Sequence, residues 1–225
     1  AVIPINEVHD RIGSTSIAID PSKIIGIVIT DVLDSPADIV PPDVATTAIA
    51  KHLLTFFKKE VESGRLTNSL LPLQAGIGKV ANAVLTGFVD SQFENLTMFS
   101  EVLQDSTFDL FDAGKLLYAS GASITVSGPY YKRIFDNFEL YKDKIVLRPQ
   151  DITNAAEVIR RLGVISINTA IECDIYGNVN SSHIGGTHMM NGIGGSGDFA
   201  RNSYLSIFVT QAAGKGETIS RIVPM

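Results

Sequence analysis

The residues with the clearest chemical possibilities lie between Leu71 and Asp105, in LPLQAGIGKVANAVLTGFVDSQFENLTMFSEVLQD. A short apolar run leads into a glycine turn, Gly76 and Gly78, and a helix of small residues follows. A turn that opens a helix leaves backbone N–H groups without partners, ready to meet an anion or a developing oxyanion. A second apolar run, Leu96 to Phe99, delivers Glu101 beyond its far end. In open α/β sheets ligands gather outside the carboxyl ends of the strands, so turn and carboxylate are expected in one place. The chemistry open to such a pair is attack by a carboxylate nucleophile beside backbone donors.

Other constellations are weaker. GIGGSGDFARN, from Gly192 to Asn202, formally contains G-x-G-x-x-G at Gly192, Gly194 and Gly197, with Glu217 further on. A dinucleotide site needs a strand immediately before that motif, and GNVNSSHIGGTHMMN is too polar and turn-rich to be one. A loop whose backbone approaches a ligand closely is the milder reading. No G-K-[ST] follows any glycine run, and no G-x-S-x-G is present, although Ser196 stands one residue off that pattern. Cys173, Asp174, His183 and His188 match no zinc spacing, so no metal is expected. Glu94 and Glu172 are the other carboxylates in apolar surroundings. Glu172 alternates with Asp174 along a strand-like run, which puts both on one face.

The elements that would position these residues alternate. Ile24–Thr30 (IIGIVIT) reads as a strand buried on both faces, and Asp31–Pro42, with three prolines and three aspartates, as a linker. Asp43 is set to cap a long helix carrying Val44, Ala48, Ile49, Leu53, Phe56, Phe57 and Val61, which Gly64 ends. Strands follow at 69–74, 96–100, 122–126, 145–147 and 164–170. Helices are expected at 80–85, 108–117, 130–138 and 155–162. Residues 171–179 extend the last strand or form a hairpin around Tyr176-Gly177-Asn178. This alternation predicts an α/β fold with an open, largely parallel sheet flanked by helices. The 225 residues are 45% hydrophobic and 19% charged, enough to bury a core. A net charge of -6 with scattered Lys and Arg argues against nucleic acid or a membrane surface as partner. No apolar run approaches the roughly 18–20 residues of a membrane span. A single cysteine suits a reducing compartment.

Taken together, FENLTMFSEVLQD, LQAGIGKVANAVL before it and AIECDIYGNVNSSHIGGTHMMNGIGGSGDFARN after it resemble the acetyl-CoA hydrolase/transferase family. The members most resembled are succinyl-CoA:acetate and related acetate-using CoA-transferases. The resemblance runs over nearly the whole chain and implies a CoA-transferase or NagB-like fold. It further implies a fragment of a two-domain protein, with 1–40 closing the first domain and its linker and 41–225 forming the second. By matching position, it makes Glu101 the covalent nucleophile and the amides of Ile77 and Gly195 the oxyanion hole. Gln74, Ala75, Gly76, Ile77, Gly78, Ile171, Asn191, Gly195 and Lys215 become CoA contacts, and Asn154 a polar active-site residue. The implied substrates are an acyl-CoA and short-chain carboxylates. Coenzyme A serves as substrate and covalent intermediate, with no resident cofactor. A homodimer in the cytoplasm, or in the mitochondrion of a fungus, is the corresponding expectation. Glutamate is ordinarily ionised at neutral pH and needs no base to attack a thioester. Acetyl-CoA hydrolysis at the same site is the alternative, and a dinucleotide-binding module the remote one.

Overall fold

The computed structural model of the protein describes residues 2–32, 42–214 and 218–224. Six strands form one sheet: β1 (Leu73–Ala75), β2 (Leu96–Phe99), β3 (Leu116–Gly121), β4 (Ile145–Leu147), β5 (Ile165–Thr169) and β6 (Leu205–Val209). All five neighbouring pairs are parallel, and the order across the sheet is β6-β5-β1-β2-β3-β4. The chain starts in the middle at β1, steps outward through β2, β3 and β4, then returns to the other side of β1 for β5 and β6. The strand order therefore reverses between β1 and β5, and a crevice opens there at the carboxyl ends. The glycine turn leaves β1 at that end, and Glu101 follows β2, the next strand.

The helices between the strands are α1 (Val44–Glu62), α2 (Lys79–Gly87), α3 (Asp105–Asp112), α4 (Gly128–Phe135), α5 (Gln150–Thr153), α6 (Ala156–Leu162) and α7 (Ser196–Asn202). Helix α1 begins where the sequence places it. The Asp43 carboxylate accepts the Thr46 N–H at 2.8 Å, while the Thr46 hydroxyl accepts the Asp43 N–H. Lys79 of α2 also reaches Asp43, at 2.7 Å, and together these partners hold its carboxyl far below the usual range. The buried stripe of α1 is Thr46, Ala50, Leu53 and Phe57, one helical face. Val44 and Phe56 of the expected stripe are exposed. Phe57 meets Phe88 and Phe93 with ring centroids 5.8 and 6.3 Å away, so α1 closes over α2 through aromatic packing.

Three readings of the sequence need correction. Ile24–Thr30 forms no strand; its side chains, Ile25, Ile27, Val28 and Ile29 among them, stand in solvent. An apolar β-branched run makes a strand only where a neighbour supplies the ladder, and none of the described residues does. The helix expected over 108–117 ends at Asp112, because Gly114 adopts a left-handed conformation (φ 68°) and redirects the chain. Leu116 and Leu117 then belong to β3, and the strand expected at 122–126 shrinks to Ser123–Ile124. Finally β6, LSIFV, pairs with all five residues of β5, a strand absent from the alternation expected above. The linker expected over 31–42 falls mostly outside the described residues. Among those described, no helix is long and apolar enough to cross a membrane.

The segment before residue 13 is not a loose connector. Ile5 and Val8 are buried against Val158, Ile159, Leu162 and Phe199. Arg148, buried after β4, donates to the Val8 carbonyl at 2.9 Å, to the Asp10 carbonyl, and to the Ser120 hydroxyl at 2.7 Å. Removing that guanidinium leaves two buried acceptors, the Val8 carbonyl and the Ser120 hydroxyl, without this donor. Arg148→Met is accordingly expected to lower the unfolding free energy by roughly 2–4 kcal/mol in urea titration. A loss below about 0.5 kcal/mol, the usual surface value, would mean the apolar side chains alone hold the segment.

Candidate active site

The loop after β2 is built to hold Glu101 still. The Glu101 carbonyl accepts the N–H groups of Ala122 at 2.7 Å and Ser123 at 3.2 Å. The next two residues, Val102 and Leu103, pair in parallel with Ser123 and Ile124. The Ser100 hydroxyl donates to the Ala75 carbonyl at 3.3 Å, joining the loop to the end of β1. At the far end, Gln104 is the N-cap of α3 and its N–H is taken by the Thr107 hydroxyl.

The Glu101 carboxylate is placed by two further segments, the α5 face and the glycine loop. Gln150 Nε2 donates to Oε1 at 3.2 Å, and Asn154 Nδ2 to Oε2 at 3.4 Å. These two residues are four apart across α5, so one helical face presents both. Asn154 is itself oriented by Thr153, whose hydroxyl donates to Oδ1 at 2.9 Å, and by Asp198, which accepts at 3.0 Å. The second segment is the glycine loop. A Cβ built on Gly195 would lie 1.8 Å from Glu101 Oε2 and 2.5 Å from Asn154 Nδ2. Only a residue without a side chain lets the carboxylate lie against this backbone.

On the opposite wall, Gly78 takes φ 140°, outside the range of L side chains, and turns the chain from β1 into α2. Beneath it, Gln74 and Asn168 form a buried reciprocal amide pair: Gln74 Nε2 donates to Asn168 Oδ1 at 3.1 Å and Asn168 Nδ2 to Gln74 Oε1 at 3.0 Å. This pair ties β1 to β5 across the topological switch. Among the hydrogen bonds of the described residues, none uses the Ile77 N–H or the Gly195 N–H as donor.

A cleft of about 520 Å³ gathers these parts. Glu101, Gln74, Ala75, Gly76, Ile77, Gly78, Ile171, Asn191 and Gly195 all line it, and Asn154 stands behind the carboxylate. Thus eight positions proposed as ligand contacts, from three stretches far apart in sequence, share one space with the proposed nucleophile. Lys215 and Glu217 lie outside the described residues. Gln150, Asn168 and Thr169, whose hydroxyl is buried without a partner, were not anticipated. The spacing of Gln150 to Asn154 was a usable signal; nothing local distinguished the other two.

The alternative carboxylates sit elsewhere. Glu94 is exposed and pairs with Lys115 at 3.7 Å, so its expected apolar surroundings are absent. Glu172 accepts from Asn180 Nδ2 at 2.8 Å in the hairpin Glu172–Cys173/Val179–Asn180, the second of the two alternatives the sequence offers for this stretch. Asp174 does not share that strand face: it closes the turn, accepting the N–H groups of Tyr176 and Asn178, and Asn178 Nδ2 above all holds its carboxyl below the usual range. The Gly192–Gly197 motif follows a two-residue antiparallel pairing, His183–Ile184 with His188–Met189, which is not the parallel strand a dinucleotide turn requires. Among the described residues, no three His, Cys, Asp or Glu side chains gather as a metal site.

Residues 131–225 match the family model of the acetyl-CoA hydrolase/transferase C-terminal domain. Succinyl-CoA:acetate CoA-transferase of Clostridium kluyveri is 49% identical over 223 residues, covering 99% of this chain and 41% of the relative. Acetyl-CoA hydrolase of Neurospora crassa is 48% identical over 225 residues, covering 98% and 43%. RipA from Yersinia pestis superposes with a TM-score of 0.67 at 23% identity, over 84% of this chain and 42% of that one, a likeness of fold. The chain spans about two fifths of the length of the curated relatives it matches.

The Gly195 contact separates stability from reactivity. Its φ of -83° suits any residue, and the atoms a methyl would meet are side-chain ends that can swing away. Gly195→Ala in the full-length protein is expected to keep its melting temperature within a few degrees (about 1 kcal/mol). Its activity should fall about a hundredfold as the carboxylate is displaced. Gly194→Ala has open space around it and should retain activity while losing about 1 kcal/mol to its left-handed backbone. Equal activity in the two variants would refute the placement of Glu101 against Gly195.

Proposed function

We propose, since this chain belongs to the acetyl-CoA hydrolase/transferase family, that it carries the nucleophile and oxyanion hole of a CoA-transferase acting on a short-chain acyl-CoA and a carboxylate such as acetate. The observation that carries the reading is the seating of the Glu101 carboxylate against Gly195, in the cleft that the Ile77 turn lines from the other side.

Glu101 attacks the thioester carbonyl. The tetrahedral intermediate places its oxyanion between the Ile77 and Gly195 amides and collapses by expelling CoA thiolate, leaving an acyl-glutamyl anhydride. The thiolate then adds to the glutamyl carbonyl and displaces the first carboxylate, forming a glutamyl-CoA thioester. An acceptor carboxylate attacks that thioester and expels the thiolate, and the thiolate takes the acyl group from the new anhydride, restoring Glu101. No general base is needed, because each attacking group is already an anion. Two amides matter because an oxyanion forms at every addition step, and losing one such donor typically costs about 100- to 1,000-fold in rate. The Gln150 and Asn154 amides hold the carboxylate without neutralising it, leaving it free to attack. Gln74 to Gly78, Ile171 and Asn191 would flank the thioester and pantetheine arm, and Lys215 a phosphate.

The division into a first domain ending near residue 40 and a second from 41 onward is part of this proposal, as is the homodimer. Hydrolysis is the second reading, favoured by the name of the Neurospora relative. The same residues serve it if water reaches the anhydride before the thiolate returns. Thiol release from acetyl-CoA by the full-length protein, with and without succinate, separates the two. Transfer predicts succinate-dependent loss of acetyl-CoA with new succinyl-CoA, and Glu101→Gln is expected to abolish it by at least about 1,000-fold. Equal thiol release with and without acceptor, and no new acyl-CoA, would establish the hydrolase instead.

A further inference from the structure

Gln104 lies three residues beyond Glu101 and has no part in the chemistry described so far. It is almost wholly buried, at 2% exposure. Its side chain does not turn toward the cleft. Instead Nε2 donates to the carbonyl of Gly76 at 3.0 Å. That carbonyl belongs to the peptide whose nitrogen is Ile77. In a planar trans peptide the C=O and N–H point in opposite directions, and no described peptide is cis. Anchoring the Gly76 oxygen inward therefore aims the Ile77 N–H outward, on the side where Ile77 is exposed and lines the cleft.

The anchor answers a specific weakness. Gly76 carries no Cβ, so this peptide can turn about the Gly76 Cα–C bond with little steric resistance on that side. Rotated, it would present a carbonyl oxygen, and repel the oxyanion the N–H would bind. The reciprocal Gln74–Asn168 pair fixes the backbone just before the turn, and a Cβ at Gly76 would lie 2.8 Å from Asn168 Oδ1. Neither contact reaches the Gly76–Ile77 peptide itself. Gln104 alone does so among the described side chains.

We propose that Gln104 is a positioning residue that holds the Gly76–Ile77 peptide with its N–H toward the reacting carbonyl, so that one loop sets both the nucleophile and half of the oxyanion hole. This rests on the reading of Glu101 and Ile77 given above. The test is the rate at which full-length protein, rapidly mixed with acetyl-CoA and acid-quenched, acquires CoA covalently by intact mass. Gln104→Met keeps the volume and removes the donor. It is expected to slow adduct formation at least about tenfold, approaching the roughly 100-fold loss of an oxyanion donor, while half-saturation by acetyl-CoA moves less than about threefold. Gln104→Glu adds a readout that packing alone would not move. As a neutral acid it can donate to Gly76, as a carboxylate it cannot, so its rate relative to wild type is expected to fall as pH rises. A Gln104→Met rate within about twofold of wild type, or a flat pH ratio for Gln104→Glu, would overturn the positioning role alone. Wild type that acquires no CoA would overturn the transferase reading, and this inference with it.

Discussion

The structure depends on a single close approach: a carboxylate resting on a backbone that has no side chain. Glu101 and Gly195 lie in segments nearly a hundred residues apart, and nothing larger than hydrogen fits at Gly195 without moving the carboxylate. Most of the fold can be read as the means of keeping that distance. β2 and its loop deliver Glu101, α5 supplies the amides that steady its oxygens, and α7 begins at the glycine it touches. Parallel strand order makes the meeting possible, because every strand that feeds the cleft ends on the same side.

The same geometry explains why polar groups accumulate around a mostly apolar sheet. At the reversal of strand order between β1 and β5 no third strand fills the crevice, so backbone and amide side chains there must find one another or a ligand. Gln74 and Asn168 satisfy each other and close the floor. The Ile77 and Gly195 N–H groups donate to none of the described residues, and both residues line the cleft. Unused donors inside a folded protein are costly in general, and they persist at sites where a ligand completes them.

How much of this was legible beforehand differs by element. The Asp43 cap, α1, β2, β4, β5 and α6 follow from periodicity and capping residues that act locally. The glycine turn and Glu101 could be paired from the rule about strand ends alone, whereas Gly195 and Asn154 entered only through resemblance, since no local pattern links them to Glu101. Ile24–Thr30 reads as a buried strand because apolar β-branched composition measures an appetite for burial and not whether a partner is present. β6 was missed because its identity comes from pairing with β5, not from its own pattern. Gln104 was invisible for a related reason: its role is a single bond to a carbonyl almost thirty residues earlier, which no spacing rule encodes.

The most direct test of the account is a crystal structure of the full-length protein bearing its glutamyl-CoA thioester. CoA sulfur is expected to be bonded to the Glu101 side chain, with the thioester oxygen within about 3 Å of both the Ile77 and Gly195 nitrogens. CoA attached to another carboxylate, or a thioester oxygen turned away from both amides, would contradict it.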